Sequence, residues 1–192
     1  PEDLIESNEL DAILICSSTD THAQFVELGS RSGKAVFCEK PVDLNRARIL
    51  KTLELVEDNQ TFFQVGFNRR FDPGFESVKS GILSGQVGTP RMLRITSRDP
   101  EPPPPEYLRV SGGLFLDMTI HDFDMACWMY GSLPDKVTAV GSSIVDPEIG
   151  KAGDFDTAVT TLEFLGGRIA VIKNSRRAAY GYDQRIEFLG SD

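Results

Sequence analysis

Long apolar runs are missing from this chain of 192 residues. None approaches the ~20 residues that a membrane-spanning helix needs, so none is expected to cross a bilayer. Positive charge is also scarce: 20 Lys and Arg face 29 Asp and Glu, a formal net charge of −9. Without a basic stripe to neutralise phosphates, a nucleic-acid partner is excluded, and a neutral substrate fits the balance better than a polyanion. Histidine is limited to His22 and His121, which leaves little for a His-rich metal centre. The three cysteines, Cys16, Cys38 and Cys127, are odd in number and far apart, which excludes a disulfide framework. Each lies in an apolar stretch and is expected to be a buried free thiol in a reducing compartment, the cytoplasm. The chain opens on Pro1-Glu2-Asp3-Leu4, neither an initiator methionine nor a signal peptide, and reads as a piece of a longer protein.

What is present is an ordinary globular composition, 40% hydrophobic and 26% charged, long enough to bury a core. Residues 11–17, 35–40 and 62–67 are short β-branched runs of the kind that form fully buried parallel strands. Between them lie an amphipathic stretch through Ala23, Val26 and Leu28 and a helix over 44–58, with Asp43 as its expected cap and Asn59 as its stop. Strand, helix, strand, helix, strand with short links predicts a parallel sheet, half of a doubly wound domain, ending near residue 67. From Asn68 the texture changes. Asp72-Pro73 should start a helix, 91–98 a strand, and the Pro-rich run 100–107 an irregular loop. A long helix over 113–130 precedes strands near 137–145, 156–166, 168–176 and 186–190, with Gly166-Gly167 as a hairpin turn. The fold class is therefore α/β followed by α+β: residues 1–67 a partial Rossmann domain, residues 68–192 a mixed domain with a largely antiparallel open sheet. One face of that sheet has no obvious cover in the chain, which predicts a homodimer or homotetramer packed through it.

The run GGLFLDMTIHDFDMACWMYG (112–131) carries the strongest chemical signal. It is apolar nearly all round, yet Asp117, His121 and Asp124 recur at i, i+4 and i+7, on one face of an α-helix. Three readings stand: a satisfied polar stripe against a neighbouring loop, a His general base held by a carboxylate, or a metal site, for which no further cluster is at hand. Glu39 and Lys40 end the second strand, where a parallel sheet binds its ligand, and Pro41 stiffens the exit. Lys40 could meet a substrate hydroxyl there or stand as a solvated turn residue. Ser17, Ser18 and His22 surround a helix start suited to phosphate or ribose oxygens, or simply cap it. Arg69 after the third strand could meet a carboxamide or ribose, or form with Arg70 a surface pair bridging Asp72.

Together, EKP after a strand, GFNRRFDP, and GGxxxDxxxHDxD on a helix resemble the Gfo/Idh/MocA oxidoreductase family along essentially the whole chain. The runs SRDPEPPPPEY and NSRRAAYGYDQRIEFLGSD resemble more narrowly its inositol 2-dehydrogenase branch. The resemblance implies oxidation of a cyclic polyol such as myo-inositol by NAD, with NADP left open. It assigns Lys40, Asp117 and His121 to the catalytic set, His121 being the base and Asp117 its orienter. Asp99 and Tyr180 would line the substrate pocket, and Ser17, Ser18, His22, Glu39, Lys40 and Arg69 would contact the cofactor, with no resident metal. A different sugar or dihydrodiol as substrate, or a cofactor-binding regulator without turnover, remain as alternatives. Members of that family begin with a GxGxxG strand–turn–helix absent from this sequence, so a missing first half of the cofactor domain is expected.

Overall fold

The computed structural model describes the backbone of residues 1–192 and every side chain except that of residue 105. The chain divides into two compact units, Pro1–Phe67 and Asn68–Asp192.

In the first unit a one-turn helix α1 (Glu2–Ile5) precedes β1 (Ala12–Ile15), α2 (Thr19–Arg31), β2 (Ala35–Cys38), α3 (Arg46–Asp58) and β3 (Phe63–Val65). The three strands pair in parallel in the order β1-β2-β3, as short crossovers demand. Ile5, Ile13, Ile15, Val26, Val36, Cys38 and Val56 form its core. The expectation of strands buried on both faces fails. In β1 only Ile13 and Ile15 are buried, and Leu14 is 74% exposed, because α2 covers one face of the strand alone. Cys16 shares the open side and is exposed, correcting the expectation of three buried thiols; Cys38 is buried, and burial pushes its thiol up to about 12. The cap of α3 is Asn45, whose Oδ1 accepts from the amides of Ala47 and Arg48. Asp43 accepts from the Asn45 amide instead, so the helix begins two residues later than predicted.

The second unit opens on a 3₁₀ turn (Asn68–Phe71) and α4 (Pro73–Leu83), with Asp72 capping the amides of Gly74 and Phe75. Then follow β4 (Met92–Arg98), α5 (Pro105–Leu108), a π-helical segment (Leu114–Thr119), α6 (Ile120–Tyr130), β5 (Lys136–Ser142), α7 (Pro147–Lys151), β6 (Thr157–Phe164), β7 (Arg168–Ser175) and β8 (Asp183–Leu189). The helices α5 and α7 are additions to the expected layout. Each starts with proline in its first turn, where a missing N–H costs nothing. The sheet order is β5-β6-β7-β4-β8, antiparallel except for β4 with β7. Gly166 and Gly167, both at positive φ, turn β6 into β7.

Period-two alternation decides what this sheet presents to the helices. In β6, Ala158, Thr160, Leu162 and Phe164 are buried while Val159 and Glu163 are exposed. On the same face, Leu93 and Ile95 of β4 and Ala170 and Ile172 of β7 pack with Phe75 of α4 and Met125, Ala126 and Met129 of α6. Two residues further along each parallel strand that face turns polar: Ser97 pairs in register with Asn174, and both are buried. The opposite face leaves Met92, Val140, Val159, Ile169 and Leu189 exposed.

Candidate active site

The polar end of the inner sheet face is held by one buried carboxylate. Asp122, in the first turn of α6, is 0% exposed. Its Oδ1 accepts from Ser97 Oγ at 2.6 Å and from Arg69 Nη1, and its Oδ2 accepts from Asn174 Nδ2 at 2.7 Å. Asn174 Oδ1 in turn accepts from Thr119 Oγ1 at 3.0 Å. Thr119 ends the π-helical segment, and its hydroxyl also lies 3.1 Å from the Leu114 carbonyl oxygen, five residues back. Arg69 is thus 9% exposed, with its guanidinium spent inside the second unit. The surface pairing with Asp72 that the sequence also allowed is not what Nη1 makes: it bonds Ser97 and Asp122. Arg70 pairs with Asp124 through two hydrogen bonds, Nε to Oδ2 at 2.9 Å and Nη2 to Oδ1 at 2.5 Å.

Because residues 114–119 bond i to i+5 rather than i to i+4, α-helical face arithmetic does not run through Asp117. The predicted single stripe of Asp117, His121 and Asp124 therefore gives way. Asp124 is an ion-pair partner of Arg70, while Asp117 turns to other elements. Its Oδ1 accepts from Tyr107 Oη at 2.9 Å and its Oδ2 lies 3.5 Å from Arg176 Nη1. Burial, with the hydrogen bond to Asp117 and that carboxylate's charge, pushes the Tyr107 phenol up to about 12. Asp99 continues the β4 ladder, its amide donating to the Ser175 carbonyl oxygen at 3.0 Å. Burial raises its carboxyl above the ordinary value; the charge of Arg176 opposes this and that of Asp117 adds to it. His121 is half-buried, one turn beyond Asp117.

Tyr180 lies in the segment between β7 and β8. It is 67% exposed, accepts from Arg98 and donates to Asp183 Oδ2 at 2.7 Å. Arg98 belongs to the outward phase of β4, opposite to that of Ser97.

In the first unit the predicted residues collect at the carboxyl ends of the parallel strands, where such sheets bind ligands. Ser17 and Ser18 follow β1 and are exposed, and Ser17 Oγ lies 2.6 Å from Thr21 Oγ1. Glu39 and Lys40 follow β2 and are half-buried. A β-carbon at Gly66 would lie 2.9 Å from Glu39 Oε2, so the carboxylate rests close against the end of β3. His22, at the start of α2, is turned inward. It is 2% exposed, with Nδ1 2.7 Å from the Pro41 carbonyl oxygen and Nε2 3.0 Å from that of Ser17. Each ring nitrogen lies within hydrogen-bond distance of a carbonyl oxygen, so the buried His22 ring sits between the two loops, donating to one of them in its neutral form.

Sequence reasoning missed Asp122, Arg176 and Tyr107. A signal existed for one of them, Arg176. In Leu93-Ile95-Ser97-Asp99 and Ala170-Ile172-Asn174-Arg176 the inward phase of a strand changes from apolar to polar halfway along.

Comparison with known proteins agrees with this layout. Residues 1–67 match the oxidoreductase family with a NAD-binding Rossmann fold, and residues 75–192 match the GFO/IDH/MocA C-terminal domain. The chain is 54% identical over 191 residues to the myo-inositol 2-dehydrogenase of Thermotoga maritima, covering 100% of this chain and 57% of that protein. The crystal structure of a protein from Sinorhizobium meliloti described as a putative myo-inositol dehydrogenase superposes with a TM-score of 0.97 at 51% identity, over 99% of this chain and 58% of that one. The scyllo-inositol dehydrogenase of Lactobacillus casei, solved with NAD(H) and scyllo-inositol bound, superposes at 0.88 with 32% identity, over 99% and 58%. The chain thus spans a little over half the length of these relatives.

The raised carboxyl of Asp99 has a measurable consequence. An acid whose folded pKa lies above its unfolded value of 3.8 binds its proton more tightly when folded. It therefore costs stability at neutral pH, and the cost vanishes as pH falls through 3.8 and both states become protonated. Asp99→Asn is expected to raise Tm at pH 7.5, with the gain shrinking as pH is lowered towards 4. Scanning calorimetry that finds the same gain at both ends contradicts this.

Proposed function

The chain belongs to the Gfo/Idh/MocA oxidoreductase family, and on that premise we propose that it forms part of an NAD-dependent inositol 2-dehydrogenase. The observation that carries the reading is the Asp117 carboxylate, held on a π-helical segment by Tyr107 and faced by Arg176, one turn before His121. π-Helical turns inside α-helices occur frequently at functional sites.

In this reading His121 takes the proton of the reacting hydroxyl and Asp117 orients the ring. Lys40 is the donor to the oxygen as it becomes a ketone. Asp99 and Tyr180 contribute to recognition of the polyol, Asp99 from the inner face. The fit of the first unit to a dinucleotide rests on the exposed Ser17 and Ser18 at the start of the 13-residue α2, and on Glu39 and Lys40 beside Gly66. NAD, when bound, supplies the acceptor for the hydride that leaves the hydroxyl-bearing carbon. For myo-inositol the product is 2-keto-myo-inositol. Three free cysteines suit a reducing, cytoplasmic setting.

The test uses the full-length protein. Reduced nicotinamide should appear on mixing with NAD and myo-inositol, and comparison with scyllo-inositol sets the isomer preference. His121→Ala should lower turnover at least ~10²-fold with the Kd for NAD nearly unchanged. Near-normal turnover in that variant would remove His121 as the base.

The second unit further supports self-association. Met92, Val140, Val159, Ile169 and Leu189 leave one sheet face apolar and exposed, and a second copy of the chain covers it in a homodimer or homotetramer. Light scattering of the full-length protein should give a mass of two or four subunits; a monomer at micromolar concentration speaks against the packing.

A further inference from the structure

Arg176 follows β7 on the phase that faces the helices, two residues beyond Asn174, and is 1% exposed. Its backbone amide donates to the Asp156 carbonyl oxygen at 2.8 Å, which fixes the main chain there. The guanidinium lies between two carboxylates: Nη1 is 3.5 Å from Asp117 Oδ2 and Nη2 is 3.7 Å from Asp154 Oδ2. Asp154 is itself attached to the segment that carries Asp117, because its Oδ1 accepts from the Leu114 amide at 2.9 Å. Gly113 permits that approach. It sits at φ +74°, and a β-carbon there would lie 2.5 Å from Asp154 Oδ1.

We propose that Arg176 is a positioning residue for the acid–base pair, one buried guanidinium that holds the Asp117 carboxylate and, through Asp154, the start of the π-helical segment bearing it. The proposal rests on the reading of Asp117 and His121 as catalytic. Neither Nε nor Nη2 of Arg176 makes a hydrogen bond to a described residue. An aliphatic side chain would fill the same place without desolvating a charge. The carboxylates explain the guanidinium: Asp99, Asp117, Asp122 and Asp154 converge on this end of the sheet, and Arg69 is committed to Asp122. Arg176 is the cation that faces both Asp117 and Asp154. Its charge also opposes the rise of the Asp99 carboxyl, while Asp117 and Asp122 add to that rise and Arg69 lowers it. From α5, Tyr107 faces Asp117 as a neutral donor.

Two substitutions in the full-length protein separate charge from geometry. Arg176→Gln removes the charge. It should lower kcat for polyol oxidation at least ~10-fold with KM for NAD little changed. The Asp99 carboxyl, followed by ¹³C NMR in aspartate-labelled protein without substrate, should titrate at higher pH than in the wild type. Arg176→Lys keeps the charge but not the fork. It should leave the Asp99 titration in place, yet still lower kcat, because a point-like ammonium cannot face Asp117 and Asp154 together. A folded Gln variant with wild-type kcat, or with an unmoved Asp99 titration, overturns the proposal. Should the Gln variant not fold, a Lys variant with wild-type kcat overturns it alone. If the wild type itself fails to oxidise inositol, the functional reading falls, while the titrations still decide what Arg176 does to its carboxylates.

Discussion

The second unit is organised around a charge that no water reaches. Asp122 is fully buried, so it must be met by donors or it would cost several kcal/mol. The chain meets it from three directions: Arg69 from the 3₁₀ turn, Ser97 from β4 and Asn174 from β7. Each partner sits where its element leaves it no alternative, because Ser97 and Asn174 are in register on the inward phase of two parallel strands. One carboxylate thereby sets the height of α6 on the sheet. Through Asn174 and Thr119 it also anchors the end of the π-helical segment.

The rest of the candidate site follows from that placement. Apolar packing of Met125, Ala126 and Met129 against Leu93, Ile95, Ala170 and Ile172 supplies burial, but by itself tolerates sliding and rotation of the helix. The polar end removes that freedom, since a shift would strand a charge. With α6 and its preceding π turns held, Asp117 meets Tyr107 on one side and Arg176 on the other. The helix is polar at its start, where Asp122 and Asp124 lie, and apolar beyond, where Met125 and Met129 pack. The first unit uses a different device for the same purpose. There the buried His22 ring fills the space between the Ser17 and Pro41 carbonyls, and so supports the loops that carry Ser17, Ser18 and Lys40.

Much of the fold was legible because it depends on local pattern. Alternation in 156–164, the Asp72-Pro73 helix start, the Gly166-Gly167 turn and the strand–helix–strand order of the first 67 residues reappear within a few residues of their expected limits. What the pattern misjudged depended on what covers each face. Leu14 and Cys16 looked interior by composition, yet lie on the side of β1 that α2 does not cover. The motif run 112–131 was recognised as chemical, but its face was drawn with an α-helical period across a stretch that is π-helical. Asp122 stood inside the motif without an assigned role, and Arg69 was assigned outward to a cofactor. Their pairing spans 53 residues of sequence and belongs to tertiary structure alone.

The central claim is that the Asp122–Arg69 pair is retained for position more than for stability. A double-mutant comparison in the full-length protein tests it. Asp122→Leu alone should cost ~3–5 kcal/mol, because it leaves Arg69 charged and buried without a partner. Arg69→Met added to it removes that stranded charge and should recover most of the loss in urea unfolding. Turnover decides the matter. The account predicts that the double variant, stable again, still turns over at least ~10-fold more slowly than the wild type, since nothing then sets the height of α6 and the placement of Asp117. A double variant with both wild-type stability and wild-type turnover would contradict it.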